Sequence, residues 1–171
     1  RKVLLILDNC EHLVHACAEL AAALLHAAPD VHIIATSRES LRIVGEQTYA
    51  VLPLPVPDRA AGVDVLARSD AVQLFVERAR LHKPGFVLTD RDAPAVAELV
   101  VRLEGIPLAL ELAAAPVRAL SVAEINTRLR DRFKLLTGGG RLLMERQQTL
   151  RALVAWSYDL LQPDEEPLLD R

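Results

Sequence analysis

The chain has 171 residues, of which 51% are apolar, 4% aromatic and 25% charged, and its formal net charge is −3. This length accommodates one large domain or two small ones, and the apolar share excludes a disordered chain. The net charge argues against polyanion binding by bulk electrostatics, and no apolar run approaches the roughly 18 residues of a membrane span. Because no signal peptide opens the chain either, we expect a cytoplasmic protein that does not bind membranes.

The first predicted element is a strand over residues 3–7 (VLLIL), which Asp8, Asn9 and Glu11 follow closely. Five consecutive apolar residues are too few for a helix and favour a strand buried in the middle of a parallel sheet. An acid at the end of such a strand lies at the carboxyl edge, where nucleotide-binding sheets hold a water on magnesium. Many buried strands also end in an Asp that merely caps the next helix, so Asp8 has a structural alternative.

A helix and a second strand are predicted next. Apolar residues recur at helical spacing between Glu11 and Ala28, and Pro29 ends this helix. Residues 31–35 (VHIIA) predict a second buried strand, so that strand, helix and strand form a βαβ unit. A third, shorter strand is predicted over residues 49–54. We expect it at the periphery of the sheet, because Pro53 cannot donate to a ladder.

Two cysteines and two histidines near the start of the first helix raise the question of a metal site. On a helix Cys10 and Cys17 share one face, whereas His12 and His15 project from the other side. Ligands that point in opposite directions cannot close a tetrahedron. We therefore interpret these residues as reduced cysteines and solvent-facing histidines.

The rest of the chain predicts helices behind a proline-rich linker at residues 53–64. Helices are expected over 71–82, 93–103 and 108–115, and from Ser121 through Leu129. Ser69-Asp70 and Asp92 would cap the first two, and the turn Gly105-Ile106-Pro107 precedes the third. Ser121 and Glu124 form a capping box for the fourth. Pro116 predicts a kink or stop. Residues 138–140 (GGG) predict a hinge or loop before a helix near 149–161.

Three separated segments carry a family resemblance: LLILDNCEHL at 4–13, IIATSRE at 33–39 and LEGIPLALELAA at 103–114. Together they resemble the STAND class of signal-transduction ATPases, specifically the bacterial transcriptional regulators of its NB-ARC-like branch. The resemblance implies an α/β fold followed by all-α structure. The C-terminal half of a parallel-sheet, P-loop-type ATPase core would cover 1–57, a helical domain 66–135, and the start of a winged-helix domain 136–171.

The resemblance also implies roles for particular residues. Asp8 matches the Walker B acid, which holds Mg²⁺ through water, and Arg38 matches the sensor arginine that contacts the terminal phosphate of ATP. Gly105 and Pro107 match the GxP motif, whose proline packs against adenine. A guanidinium one strand away from the metal acid suits bidentate phosphate recognition. The alternatives are a surface Arg38 that pairs with Glu39 or Glu11, and a Gly-x-Pro turn that simply breaks a helix.

The chain departs from the family pattern in two respects. The family often has a second acid directly after the Walker B Asp, where this chain has Asn9, a poor general base. Glu11 is the catalytic candidate that would replace it, unless hydrolysis is slow. In addition, no Gly-x-x-x-x-Gly-Lys-Ser/Thr loop occurs in the chain. In the family this loop would precede Arg1, so we expect a fragment that is not by itself a competent ATPase.

Basic residues dominate between residues 126 and 151, with a local net charge of +5. They are Arg128, Arg130, Arg132, Lys134, Arg141, Arg146 and Arg151. This surface predicts either nucleic-acid contact by a winged helix or packing against the acidic remainder of the protein. We favour packing because no aromatic residues are interleaved with the charges.

The sequence thus predicts a regulatory switch that, in the intact protein, binds ATP or ADP with Mg²⁺. The alternatives are a non-catalytic module that binds protein partners and, less favoured, winged-helix DNA binding.

Overall fold

The structure is a computed structural model, and it describes residues 2–137 and 154. The chain forms two compact units, and the division between them falls between Val51 and Leu52. The predicted hinge at 138–140 and, apart from Val154, the predicted helix at 149–161 lie outside the described residues. Every helix in the described part of the chain falls short of the length and apolarity that a bilayer crossing needs.

The first unit is a strand–helix–strand arrangement. Strand β1 (Val3–Leu7) leads through a 3-10 helix (Cys10–His12) to helix α1 (Val14–Ala27) and then to strand β2 (Val31–Ala35). The two strands pair in parallel, with Val3 opposite Val31 and Leu7 opposite Ala35. The predicted strands and the helix between them are therefore confirmed, although the helix begins as a separate 3-10 turn.

The two faces of this small sheet differ. Leu7 and Ile33 pack with α1 around a buried cluster of Cys10, Ala21 and Leu41. On the opposite face Leu4 is 57% exposed, Ile6 62% and Ile34 53%. Within the described residues β1 thus has one neighbouring strand and one uncovered face, instead of the central position that its apolar sequence predicts.

The predicted third strand is wrong, because residues 49–54 form no strand in the structure. Pro53 and Pro55 flank Leu54 and remove two of the N–H groups that a ladder would use. The N–H of Leu54 instead donates to the carbonyl of Gly105 at 3.0 Å. Leu54 therefore belongs to the packing of the second unit.

The second unit is helical among the described residues. Its elements are α2 (Val63–Leu66), α3 (Asp70–His82), α4 (Ala93–Arg102), α5 (Pro107–Ala114), a 3-10 helix (Ala115–Arg118) and α6 (Val122–Thr137). The four longer helices confirm the predictions, but α2 was missed and α6 runs past the predicted end at Leu129. The switch to 3-10 geometry around Pro116 confirms the predicted stop.

The core of this unit is aliphatic and continuous. Its fully buried side chains include Leu66, Phe75, Leu99, Leu103, Leu110, Ile125 and Leu129. Phe75 and Phe86 add an edge-to-face contact with ring centroids 6.1 Å apart. Helices α3 and α5 pack closely in this core.

The predicted capping box is confirmed. The backbone N–H and the hydroxyl of Ser121 donate to Glu124 Oε2 at 2.8 and 2.7 Å, and the Glu124 N–H donates back to Ser121 Oγ at 3.3 Å. Ser69 and Asp92 occupy the predicted N-cap positions of α3 and α4, but their side chains make no capping hydrogen bond.

Candidate functional site

Asp8 and Thr36 meet at the carboxyl edge of the two strands. Leu7 pairs with Ala35, so Asp8 and Thr36, which directly follow these residues, lie side by side. The hydroxyl of Thr36 donates to Asp8 Oδ1, and the Asn9 N–H donates to Thr36 Oγ1 at 2.9 Å. Thr36 therefore fixes the direction of the Asp8 carboxylate, and sequence reasoning missed this residue.

Asn9 turns the chain from β1 toward the 3-10 helix. Its backbone is left-handed, with φ 61° and ψ 44°, a conformation that Asn adopts more readily than most residues. In the orientation that satisfies its side-chain amide, the amide nitrogen donates to both oxygens of Glu11 at 3.0 and 3.1 Å. Asn9 thus shapes the turn and holds Glu11.

Arg38 pairs with Glu11. Its Nε donates to Glu11 Oε1 at 3.0 Å, and the side chains are 66% and 14% exposed respectively. Among the described residues no ion pair joins Arg38 to Glu39, whose N–H donates to Ser37 Oγ at 3.2 Å. The structure thus shows the ion pair that the sequence left open as the alternative to a sensor role, with Glu11 and not Glu39 as the partner. Glu11 thus already accepts hydrogen bonds from two side chains.

The cysteines belong to the packing beneath this edge. Both are free thiols; Cys10 is buried, and its Sγ donates to the carbonyl of Leu7 at 3.5 Å. Burial, followed by the hydrogen bond with Cys17, raises the pKa of the Cys10 thiol. A buried thiol with a raised pKa is a poor nucleophile and metal ligand. Within the described residues no group of three or more His, Cys, Asp or Glu side chains is placed to hold a metal ion.

Gly105 and Pro107 lie in the second unit, at the turn before α5, and their surroundings differ. Gly105 is buried and left-handed, with φ +65°, and a β-carbon there would lie 2.0 Å from the carbonyl oxygen of Leu54. Pro107 is the first residue of α5 and is exposed. Gly105 therefore serves the close packing of the segment around Leu54, and Pro107 is the member of the motif with an accessible face.

Part of the basic segment is engaged within the second unit. Arg130 Nη2 lies 3.1 Å from Glu98 Oε1, and Glu98 also pairs with Arg102. Arg102 in turn donates to the backbone carbonyl of Asn126 at 2.8 Å, and its burial lowers the pKa of its guanidinium. For Arg130, this network supports the predicted packing of the basic segment against acidic residues, here Glu98. The basic side chains from Arg132 onward lie outside the described ones.

The chain is similar to segments of longer mycobacterial proteins. Two of them, from Mycobacterium tuberculosis and Mycobacterium bovis, carry the name "Putative HTH-type transcriptional regulator" and are 46% identical over 171 residues, which is 100% of this chain and 18% of each relative. An uncharacterized protein of Mycobacterium tuberculosis is 42% identical over 170 residues, 99% of this chain and 40% of that protein.

The chain thus spans less than a fifth of the length of the first two relatives. No protein-family model matches the chain, and no solved structure does. The similarities link the chain to proteins named as transcriptional regulators, and they say nothing of a nucleotide or a metal.

Proposed function

We propose that the chain is part of an ATP/ADP-binding regulatory switch of the STAND class within a transcriptional regulator. One observation carries the proposal: Asp8 and Arg38 follow two adjacent parallel strands at the same edge, and a hydrogen bond holds each side chain. Ligands of open α/β sheets bind at this carboxyl edge. An acid and a guanidinium there match the two charges of a magnesium–phosphate ligand.

The residues present fit Mg²⁺ and nucleotide phosphates. The bond from Thr36 engages Oδ1 of Asp8, while the described residues give Oδ2 no hydrogen bond, so Oδ2 can accept from a water on Mg²⁺. The Arg38 side chain is 66% exposed and offers further donors to a phosphate. The metal would neutralise phosphate charge. Pro107, in the second unit, is exposed, and its contact with a base is a separate prediction.

The chain by itself is not expected to be a competent ATPase. The sequence contains no phosphate-binding Gly-x-x-x-x-Gly-Lys-Ser/Thr loop, so another segment of a longer protein would have to supply that cradle. We expect the 171-residue chain alone to hydrolyse ATP no faster than a buffer blank. In the longer protein, ATP and ADP would favour different conformations through contacts to the terminal phosphate.

The output would be transcriptional. Similar proteins named as HTH-type regulators support this part of the proposal. Nucleic acid would then be a partner of the whole regulator, through a segment other than the Asp8 edge. The network that pairs Arg130 with Glu98 gives the described start of the basic segment an intramolecular role instead.

The test is a calorimetric titration of the full-length gene product with ADP and ATP in the presence of Mg²⁺. Asp8→Asn should weaken magnesium-dependent binding about tenfold or more, because it removes the charge that orients the metal water. Asp30→Asn is the matched control, since Asp30 precedes β2 at the opposite edge of the sheet. Equal affinities in all three proteins, or no nucleotide binding by the wild type, would contradict the proposal.

A protein-interaction module is the second candidate. The uncovered sheet face, with Leu4, Ile6 and Ile34 more than half exposed, favours it. A full-length protein that binds neither nucleotide in the same titration would support this candidate over the switch.

A further inference from the structure

The carboxylate of Glu11 joins two side chains from different elements. Asn9, in the turn after β1, donates to it through its amide, and Arg38, beyond the end of β2, donates through Nε at 3.0 Å. Glu11 itself lies in the 3-10 helix, and its side chain is 14% exposed. The carboxylate thus accepts hydrogen bonds from both Asn9 and Arg38, with Oε1 as an acceptor for each.

The two partners differ in their freedom to move. Glu11 is short, largely covered and held by Asn9, whereas the long side chain of Arg38 is 66% exposed. A carboxylate and a phosphate compete for the same guanidinium donors because both recognise them through charge-assisted hydrogen bonds. A terminal phosphate at this edge would therefore compete with Glu11 for the guanidinium of Arg38.

We infer that Glu11 is a positioning residue that holds Arg38 when no terminal phosphate is present and competes with that phosphate when ATP binds. The inference rests on the proposed nucleotide function and adds a means of regulation to the same site. It replaces the general-base role that the sequence suggested for Glu11. Glu11 would set how strongly the switch distinguishes ATP from ADP.

The experiment is a double-mutant cycle on the full-length gene product, titrated with ATP and with ADP in Mg²⁺. Glu11→Gln keeps the length of the side chain and removes its charge, so Arg38 is held less firmly. ATP affinity should rise about fivefold, the upper range for a partly exposed ion pair, while ADP affinity stays within about twofold. In the Arg38→Ala background the same change should leave the ATP/ADP affinity ratio unaltered, because the competing partner is gone.

Glu39→Gln provides the matched control. It removes one carboxylate adjacent to Arg38 in sequence, and no ion pair joins the two residues within the described structure. If Glu39→Gln shifts the ATP/ADP ratio as much as Glu11→Gln, the effect is general charge repulsion and the inference is wrong.

The remaining outcomes separate the inference from the function on which it rests. If Arg38→Ala weakens ATP selectively but Glu11→Gln leaves the ratio unchanged, the nucleotide function stands and the role of Glu11 is refuted. If Glu11→Gln raises the ATP/ADP affinity ratio both in the wild type and in the Arg38→Ala background, Glu11 does not act through Arg38 and the inference fails. A wild-type protein that binds neither nucleotide rejects both claims.

Discussion

The backbones of Leu54 and Gly105 lie directly against each other. The Leu54 N–H donates to the Gly105 carbonyl at 3.0 Å, and a β-carbon on Gly105 would sit 2.0 Å from the Leu54 carbonyl oxygen. Gly105 also has a φ of +65°, which L side chains rarely adopt. The first residue of the GxP motif is thus a glycine for reasons of packing, whether or not a ligand binds nearby.

We expect Gly105→Ala to lower the free energy of unfolding of the helical unit by about 2–3 kcal/mol, from left-handed strain plus the clash with Leu54. Denaturant unfolding of the 171-residue chain, followed by circular dichroism, measures the loss. Gly85→Ala is the control in the same unit, because a β-carbon there meets nothing within 4 Å. Equal effects at the two glycines would contradict the packing role.

The βαβ elements were predictable because each of their residues contributes to a local pattern. The five apolar residues 3–7, the largely apolar residues 31–35 and a helical stripe need no tertiary information, and the structure confirms strands at Val3–Leu7 and Val31–Ala35. The segment around Leu54 shows the limit of this reasoning. Its apolar residues suggested a strand, but the Leu54 N–H donates to the carbonyl of Gly105. Because Gly105 is distant in sequence, no local pattern predicts this contact.

For the candidate site, the sequence pointed to residue types and not to contacts. Asp8 and Arg38 stand out because they follow strands, but Thr36 becomes significant only when Leu7 is known to pair with Ala35. Likewise the sequence left Glu11 and Glu39 open as partners of Arg38. The structure pairs Arg38 with Glu11, and this contact joins residues 27 positions apart, beyond the reach of a local pattern.

Thr36→Val should weaken nucleotide binding at the proposed site without unfolding the first unit. Val keeps the shape but removes the hydroxyl that donates to Asp8 and accepts from Asn9, so we expect a stability loss of only about 0.5–1.5 kcal/mol at this exposed site. Magnesium-dependent nucleotide affinity of the full-length protein should fall more. Thr36→Ser should restore the affinity, and Thr48→Val is the control at another exposed threonine. Unchanged affinity in Thr36→Val would refute the positioning of Asp8.

Arg38→Ala should weaken ATP binding more than ADP binding, because only ATP has the terminal phosphate assigned to this residue. Loss of one charge-assisted contact should cost about 1.5–3 kcal/mol of ATP binding free energy. Calorimetric titration of the full-length protein measures both affinities. Arg42→Ala, which removes an exposed cation from the same unit, should change neither. Equal losses for ATP and ADP in Arg38→Ala would reject the sensor role.

The capping box predicts a pH dependence of stability. Hydrogen bonds from the Ser121 side chain and backbone lower the pKa of Glu124 from its ordinary value of 4.5. A carboxylate whose pKa is depressed on folding contributes stability above its unfolded pKa, and that stability is lost as pH falls through the folded pKa. The difference in melting temperature between the wild type and Glu124→Gln should therefore shrink as pH drops below about 4.5. A difference that stays constant down to acid pH would show that the cap does not depend on charge.

Pro107 allows a structural role to be separated from a role in binding. It occupies the first position of α5, where its fixed φ suits the helix and its missing N–H costs nothing, and its side chain is exposed. Pro107→Ala should therefore lower stability by only about 1 kcal/mol, mainly by enlarging the unfolded ensemble.

If the ring packs against adenine, the same change should weaken ATP and ADP alike in the full-length protein, because both carry the base. Pro84→Ala, at another exposed proline of the helical unit, should affect stability similarly and leave both affinities intact. Melting temperature and nucleotide titration on the same two variants decide the matter. A Pro107→Ala protein that melts lower but binds both nucleotides like the wild type would make this proline a helix start and remove it from the site.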